Sequence, residues 1–228
     1  MKGWGIALVV AGVLASAGTP AVAGYEDAIT PVEQYTTAKG KGLAATYKAQ
    51  LVEFYEHIYH CLPWLGVHKN GIGFRQPKGV ETDDRYLALW VTVDQDEDPQ
   101  FAKLPAARRA SAMFSRYGVD MLRRMSLLGG IAADANVTGF SVVLSWLKPG
   151  TIDSKQPISE TLALFIDKTS LREFLAKRLP AAEFTTRARF NLFEGKEAVG
   201  RVPLEVWDDN FNRTYKLKNY QVEQGHHC

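Results

Sequence analysis

The stretches 86–93 and 137–147 each alternate their side chains across two faces, with a helical pattern between them, and this order constrains the fold more than any other feature. In the first, Leu87, Leu89, Val91 and Val93 share one face, and Tyr86, Ala88, Trp90 and Thr92 share the other. Apolar residues on both sides predict a strand buried at least partly on both faces. In the second, Phe140, Val142, Leu144 and Trp146 fall on one side. Between them an acidic run, DQDED at 94–98, leads to Pro105, which suits a first helical turn. Phe114, Tyr117, Met121, Met125 and Leu128 then form one stripe of a helix that the pair Gly129 and Gly130 is expected to end.

Further along, 162–166 reads as a third strand. Ser170 and Glu173 form a capping-box pattern for a short helix ended by Pro180. Alternation predicts a strand over 184–193, EGK at 194–196 a turn, and 198–207 a last strand that Pro203 consigns to a sheet edge. The expected fold is therefore α+β: a mostly antiparallel sheet with helices on one face, in the order of a ferredoxin-like split βαβ unit plus an extra edge strand. An N-terminal helix precedes it, since Tyr47, Leu51, Phe54, Tyr55 and Ile58 make one apolar stripe before Pro63. The segment 62–79, rich in Gly and Pro, reads as a loop anchored by Trp64 and Phe74.

The chain start has a different character. Lys2, an apolar run from Ile6 to Ala17 and the small residues Ala21, Val22 and Ala23 read as a signal peptide over 1–23, with the mature chain beginning at Gly24. Three regions follow: the signal, an N-terminal helix and loop over 24–80 packed on the main body, and an α+β domain with a C-terminal tail over 81–228. The apolar run is too short to span a hydrocarbon core of roughly 30 Å, and no later segment reaches the length needed. The product is expected to be exported and soluble, in the periplasm or outside the cell, with no transmembrane segment once the signal is removed.

Charge excludes a nucleic-acid binder. The chain has 27 Lys and Arg against 25 Asp and Glu, and the signal removes one Lys and no acid, so the mature protein is close to neutral. An oxidising compartment makes the only two cysteines, Cys61 and Cys228, a disulfide, worth about 5 kcal/mol by the entropy of the long loop it closes.

All five histidines lie near those cysteines in sequence or shortly after the first: His57, His60 and His68, then His226 and His227. On a helix His57 and His60 are three apart, within reach of one ion, so the set is a candidate Cu or Zn site. The cysteines cannot serve both as thiolate ligands and as a bridge. EHIYH at 56–60 lacks the spacing of a zinc protease, because its acid precedes both histidines. On the long helix Arg108, Arg109, Arg116, Arg123 and Arg124 recur at about seven-residue intervals away from the apolar stripe, a candidate face for an anionic surface or an envelope partner. The spacing of DQDED does not match a calcium loop, and no nucleophile elbow, phosphate loop or haem motif occurs. The sequence thus points to a non-enzymatic binding or assembly module of the cell envelope, with a transition-metal carrier or sensor as the alternative.

Overall fold

A computed structural model describes residues 25–93, 99–151 and 153–207. The signal segment, the acidic run 94–98 and the tail that carries His226, His227 and Cys228 lie outside the described residues.

A single six-stranded sheet organises the chain: β1 (Leu65–Arg75), β2 (Arg85–Val93), β3 (Val137–Leu147), β4 (Ser159–Asp167), β5 (Arg189–Glu194) and β6 (Glu197–Gly200). The strands lie in sequential order, and every neighbouring pair is antiparallel except β2 and β3. That parallel pair follows from its long connection, the helices α4 (Pro99–Ala102), α5 (Ala106–Met113), α6 (Val119–Ser126) and α7 (Gly129–Ala133), which return the chain to the same end of the sheet. Upstream are α1 (Tyr25–Ala28), α2 (Ala38–Thr46) and α3 (Lys48–Cys61); α8 (Lys168–Leu175) and α9 (Ala181–Arg187) join β4 to β5.

The sequential order replaces the ferredoxin-like one. A split βαβ unit would set 86–93 between the strands at 162–166 and 184–193, whereas β2 lies between β1 and β3. The difference comes from β1, which occupies the stretch expected to be a loop. Its glycines are steric requirements of a strand rather than signs of a turn: a Cβ on Gly71 would lie 2.7 Å from the Trp90 carbonyl of β2, and one on Gly73 would lie 2.4 Å from the Tyr35 hydroxyl. A bulge between Val67 and Ile72, with Asn70 at φ 54°, interrupts the alternation and hides the strand from a period-two reading. Residues 65–75, the expected loop, are thereby built into the sheet.

Four boundaries also differ. Residues 181–187 form α9, so β5 begins only at Arg189. The short helix expected to end at Pro180 stops at Leu175, and Pro180 instead stands at the N-cap of α9. Asp167, not Ser170, caps α8, its carboxylate accepting from the Ser170 N–H at 2.8 Å. Gly129 opens α7 instead of closing a helix, and Gly130 packs so closely on Gln50 that a Cβ would stand 2.8 Å from its amide nitrogen.

The helices cover one face of the sheet. Leu87, Leu89 and Val91 of β2, Phe140, Leu144 and Trp146 of β3, and Leu162 and Leu164 of β4 are buried beneath them. Between α5 and α6, residues Phe114–Gly118 form a π-helical turn where Gly118 admits the Phe114 ring, which would meet a Cβ at 2.4 Å. After β6 the chain leaves the sheet and runs along this turn. Ser111 and Ser115 accept hydrogen bonds from the backbone N–H groups of Glu205 and Trp207, each at 2.9 Å, and Leu204 is buried. The strand expected over 198–207 stops at Gly200, whose φ of 96° turns the chain out of the ladder, and Pro203 offers no N–H to resume it.

No helix of the described residues is long and apolar enough to cross a membrane.

Candidate functional site

The helix-free face of the sheet carries the densest set of partly exposed aromatic and hydroxyl groups. On β4 the alternation is strict: Glu160, Leu162, Leu164 and Ile166 are buried, while Thr161, Ala163, Phe165 and Asp167 are half-buried. The registers place Trp90, Val143 and Ala163 side by side across β2, β3 and β4, and Thr92, Ser145 and Thr161 form the next row. Asn191 and Phe193 continue these rows on β5.

The polar atoms of this face are paired with one another. The His68 ring stacks on Trp90, centroids 4.4 Å apart and 18° from parallel, and its Nε2 lies 2.7 Å from Thr92 Oγ1. Trp90 Nε1 donates to Ser145 Oγ at 3.1 Å, and Ser145 Oγ meets Thr161 Oγ1 at 2.9 Å. A hydrogen-bonded chain thus crosses three strands, with a second link at β1. Burial lowers the pKa of His68 below the ordinary imidazole value, which keeps the ring neutral in its stack. Nearer the opposite end of the face, Tyr86 and Phe165 meet edge to face at 5.3 Å. Ser141 sits on this side too, fully buried, and its hydroxyl has no hydrogen-bond partner.

A second cluster lies where α3 packs against α6. Arg124 Nη1 donates to His57 Nε2 at 2.6 Å, and Arg124 Nε donates to Asp120 Oδ2 at 2.7 Å. A guanidinium is only a donor, so His57 Nε2 must accept and its proton resides on Nδ1, which faces the Cys61 sulfur at 3.5 Å. Burial and the Arg124 charge lower the His57 pKa, against an opposing pull from Asp120. The result is a neutral imidazole with both nitrogens engaged.

The structure thus disperses the histidines expected to act together. His57 points at Arg124, His60 is exposed with its ring edge on Tyr59 at 5.1 Å, and His68 belongs to the sheet face. Among the described residues no group of three or more potential metal ligands forms. His226 and His227 lie outside them. Cys61 is buried, and there is no free cysteine among the described residues; its expected partner, Cys228, also lies outside.

The arginine face needs correction as well. Arg109 turns inward, where it is buried against Glu160, because the π-turn inserts a residue and breaks the seven-residue phase between Arg109 and Arg116. Arg108 pairs with Glu205 and lies over the Trp207 ring, Arg116 lies over the Tyr117 ring at 5.1 Å, and Arg124 is held by Asp120 and His57. Arg123, 59% exposed, keeps only a loose contact with Asp120 at 3.9 Å. Five aligned cations are not what the fold presents.

The sheet-face cluster was hidden in the sequence by an ordinary reading of Tyr86, Ala88, Trp90 and Thr92 as a second buried side. A signal was available: Ser141, Val143 and Ser145 on one strand and Thr161, Ala163 and Phe165 on another combine hydroxyls, small residues and an aromatic on the face that the helices leave open.

Comparison with family models, with curated proteins and with solved structures finds no match.

Proposed function

We propose that this chain is an exported, non-enzymatic binding or assembly module of the cell envelope, and that its contact surface is the helix-free face of the sheet. The observation that carries the reading is a pair of polar links, His68 to Thr92 and Trp90 through Ser145 to Thr161, joined only by the stacking of the His68 and Trp90 rings. With those atoms already hydrogen-bonded, a partner can cover the face without stranding donors or acceptors, and the remaining surface offers aromatic and aliphatic carbon. Export rests on the signal pattern of residues 1–23 and on a bridge between Cys61 and Cys228. The metal-carrier alternative draws less support, since Arg124 already occupies the Nε2 lone pair of His57.

A photo-crosslinking residue at position 163, on the open face, tests the contact surface when compared with one at Thr185 on α9. Protein crosslinks through 163 and not through 185 are expected in envelope fractions; equal or absent crosslinking through 163 overturns the assignment. Mass analysis of the same exported material tests the rest. A chain beginning at Gly24, lighter by two hydrogens and without free thiols, is expected, and a retained N-terminus or two free thiols removes the export and bridge elements.

A further inference from the structure

We infer that the partner for the open sheet face is a second copy of this chain, the two faces packing into a two-layer sandwich about a twofold axis. The inference rests on the reading of that face as the contact surface and gives it an occupant.

Area is the first argument. Five strands about 4.8 Å apart and about nine residues long at about 3.3 Å each present a patch of roughly 700 Å² per copy. Two such patches bury roughly 1,400 Å², within the range of about 1,200–2,000 Å² typical of stable interfaces. A smaller ligand would leave most of it wet.

Charge is the second. The middle of the face, around Trp90, Val143 and Ala163, holds no ionised side chain; Arg75 on β1, Asp167 on β4 and Arg189 on β5 stand at its margin, with both signs of charge represented. A polyanion or an anionic lipid surface would find nothing there to pair with, whereas an equally uncharged sheet face would. Relief is the third: Phe165 follows the small residue Ala163 along β4 and Trp90 stands two strands away in the same row as Ala163, so one face supplies both ridges and hollows, as an interface repeated on both subunits requires. Edge-to-edge pairing is closed at β1. The Thr30 N–H donates to the Ile72 carbonyl at 2.8 Å, and the Tyr35 hydroxyl accepts from the Phe74 N–H at 2.9 Å.

Sedimentation equilibrium on the mature chain tests the inference. A dimer is expected for the unaltered protein and for Thr185→Arg on α9, while Ala163→Arg weakens association by about 100-fold or more. Should Ala163→Arg fail to fold, Asn191→Glu, at an exposed position of the same face, is expected to have the same effect. A dimer that survives the folded face variant places the interface elsewhere and overturns the inference. A monomer at the highest soluble concentration overturns it too, and the crosslinker at 163 then separates two cases: capture of a different protein leaves the face a contact surface with another occupant, and no capture removes both ideas.

Discussion

Arg109 Nε lies 2.8 Å from Glu160 Oε2 where both side chains are buried, and Trp146 Nε1 donates to the same oxygen at 2.8 Å. A second guanidinium nitrogen reaches Glu160 Oε1, and Nη1 donates to the Leu104 carbonyl. The carboxylate thus pins α5 to the ends of β3 and β4. Desolvating such a pair offsets much of its attraction, but removing one member leaves the other charge buried alone. Glu160→Gln is expected to destabilise the protein by about 3–5 kcal/mol. Replacing both with apolar residues, Arg109→Met with Glu160→Leu, is expected to recover most of that loss, and urea unfolding of the set measures it.

Two neutral imidazoles make stability depend on pH. The folded pKa of His57 is lowered by burial and by Arg124, and that of His68 by burial, whereas each returns on unfolding to the ordinary value of about 6.5. Below that value the unfolded chain takes up protons that the folded one does not, so stability is full above it and falls as the pH drops towards the folded pKa values. A melting temperature lower at pH 5.5 than at pH 7.5 is the expected result, with the slope reduced in His57→Gln and in His68→Gln. An unchanged slope in both variants would assign the effect to other groups.

On the outer edge of β1, the Phe74 N–H depends on a single phenol. Tyr35→Phe removes the acceptor for the Phe74 N–H and is expected to cost about 1–3 kcal/mol, since that amide is left buried without a partner. Faster hydrogen exchange at Phe74, with exchange in β4 unaffected, is the signature. Gly73→Ala should be worse, because its methyl group would need the space the phenol occupies.

Ser111 and Ser115 hold the segment after β6. With both changed to Ala, two backbone hydrogen bonds at 205 and 207 disappear, each worth about 1 kcal/mol. Limited proteolysis is expected to cut within 201–207 in the double variant while sparing the unaltered protein. Equal cleavage of both would mean that the burial of Leu204 and the contacts of Arg108 with Glu205 and Trp207 suffice to secure the segment.

The stripe Leu51, Phe54, Tyr55, Ile58 was legible as a helix face, and all four side chains are buried on α3. The alternations of β2, β3 and β4 were equally plain, because one face of each meets the same apolar layer. β1 was not legible: its glycines answer to the Trp90 backbone and to Tyr35, residues far away in sequence, and its bulge breaks the period that would have betrayed it. Arg109 was misplaced for a related reason. Heptad spacing assumes an unbroken α-helix, and the π-turn at Phe114–Gly118 shifts the phase. As for the candidate site, His68 stood out in composition, but its stacking on Trp90 depends on a register that no local pattern encodes.

Local periodicity decided that α3 is a helix and β2, β3 and β4 are strands, and which side of each is apolar, since those properties depend on residues a few positions apart. Tertiary packing decided the order of the strands, the inward turn of Arg109, the capture of residues 205 and 207 by two serines, and the separation of the histidines. Each of these is a choice of partner for a buried charge, a backbone donor or a strand edge, made among groups distant along the chain.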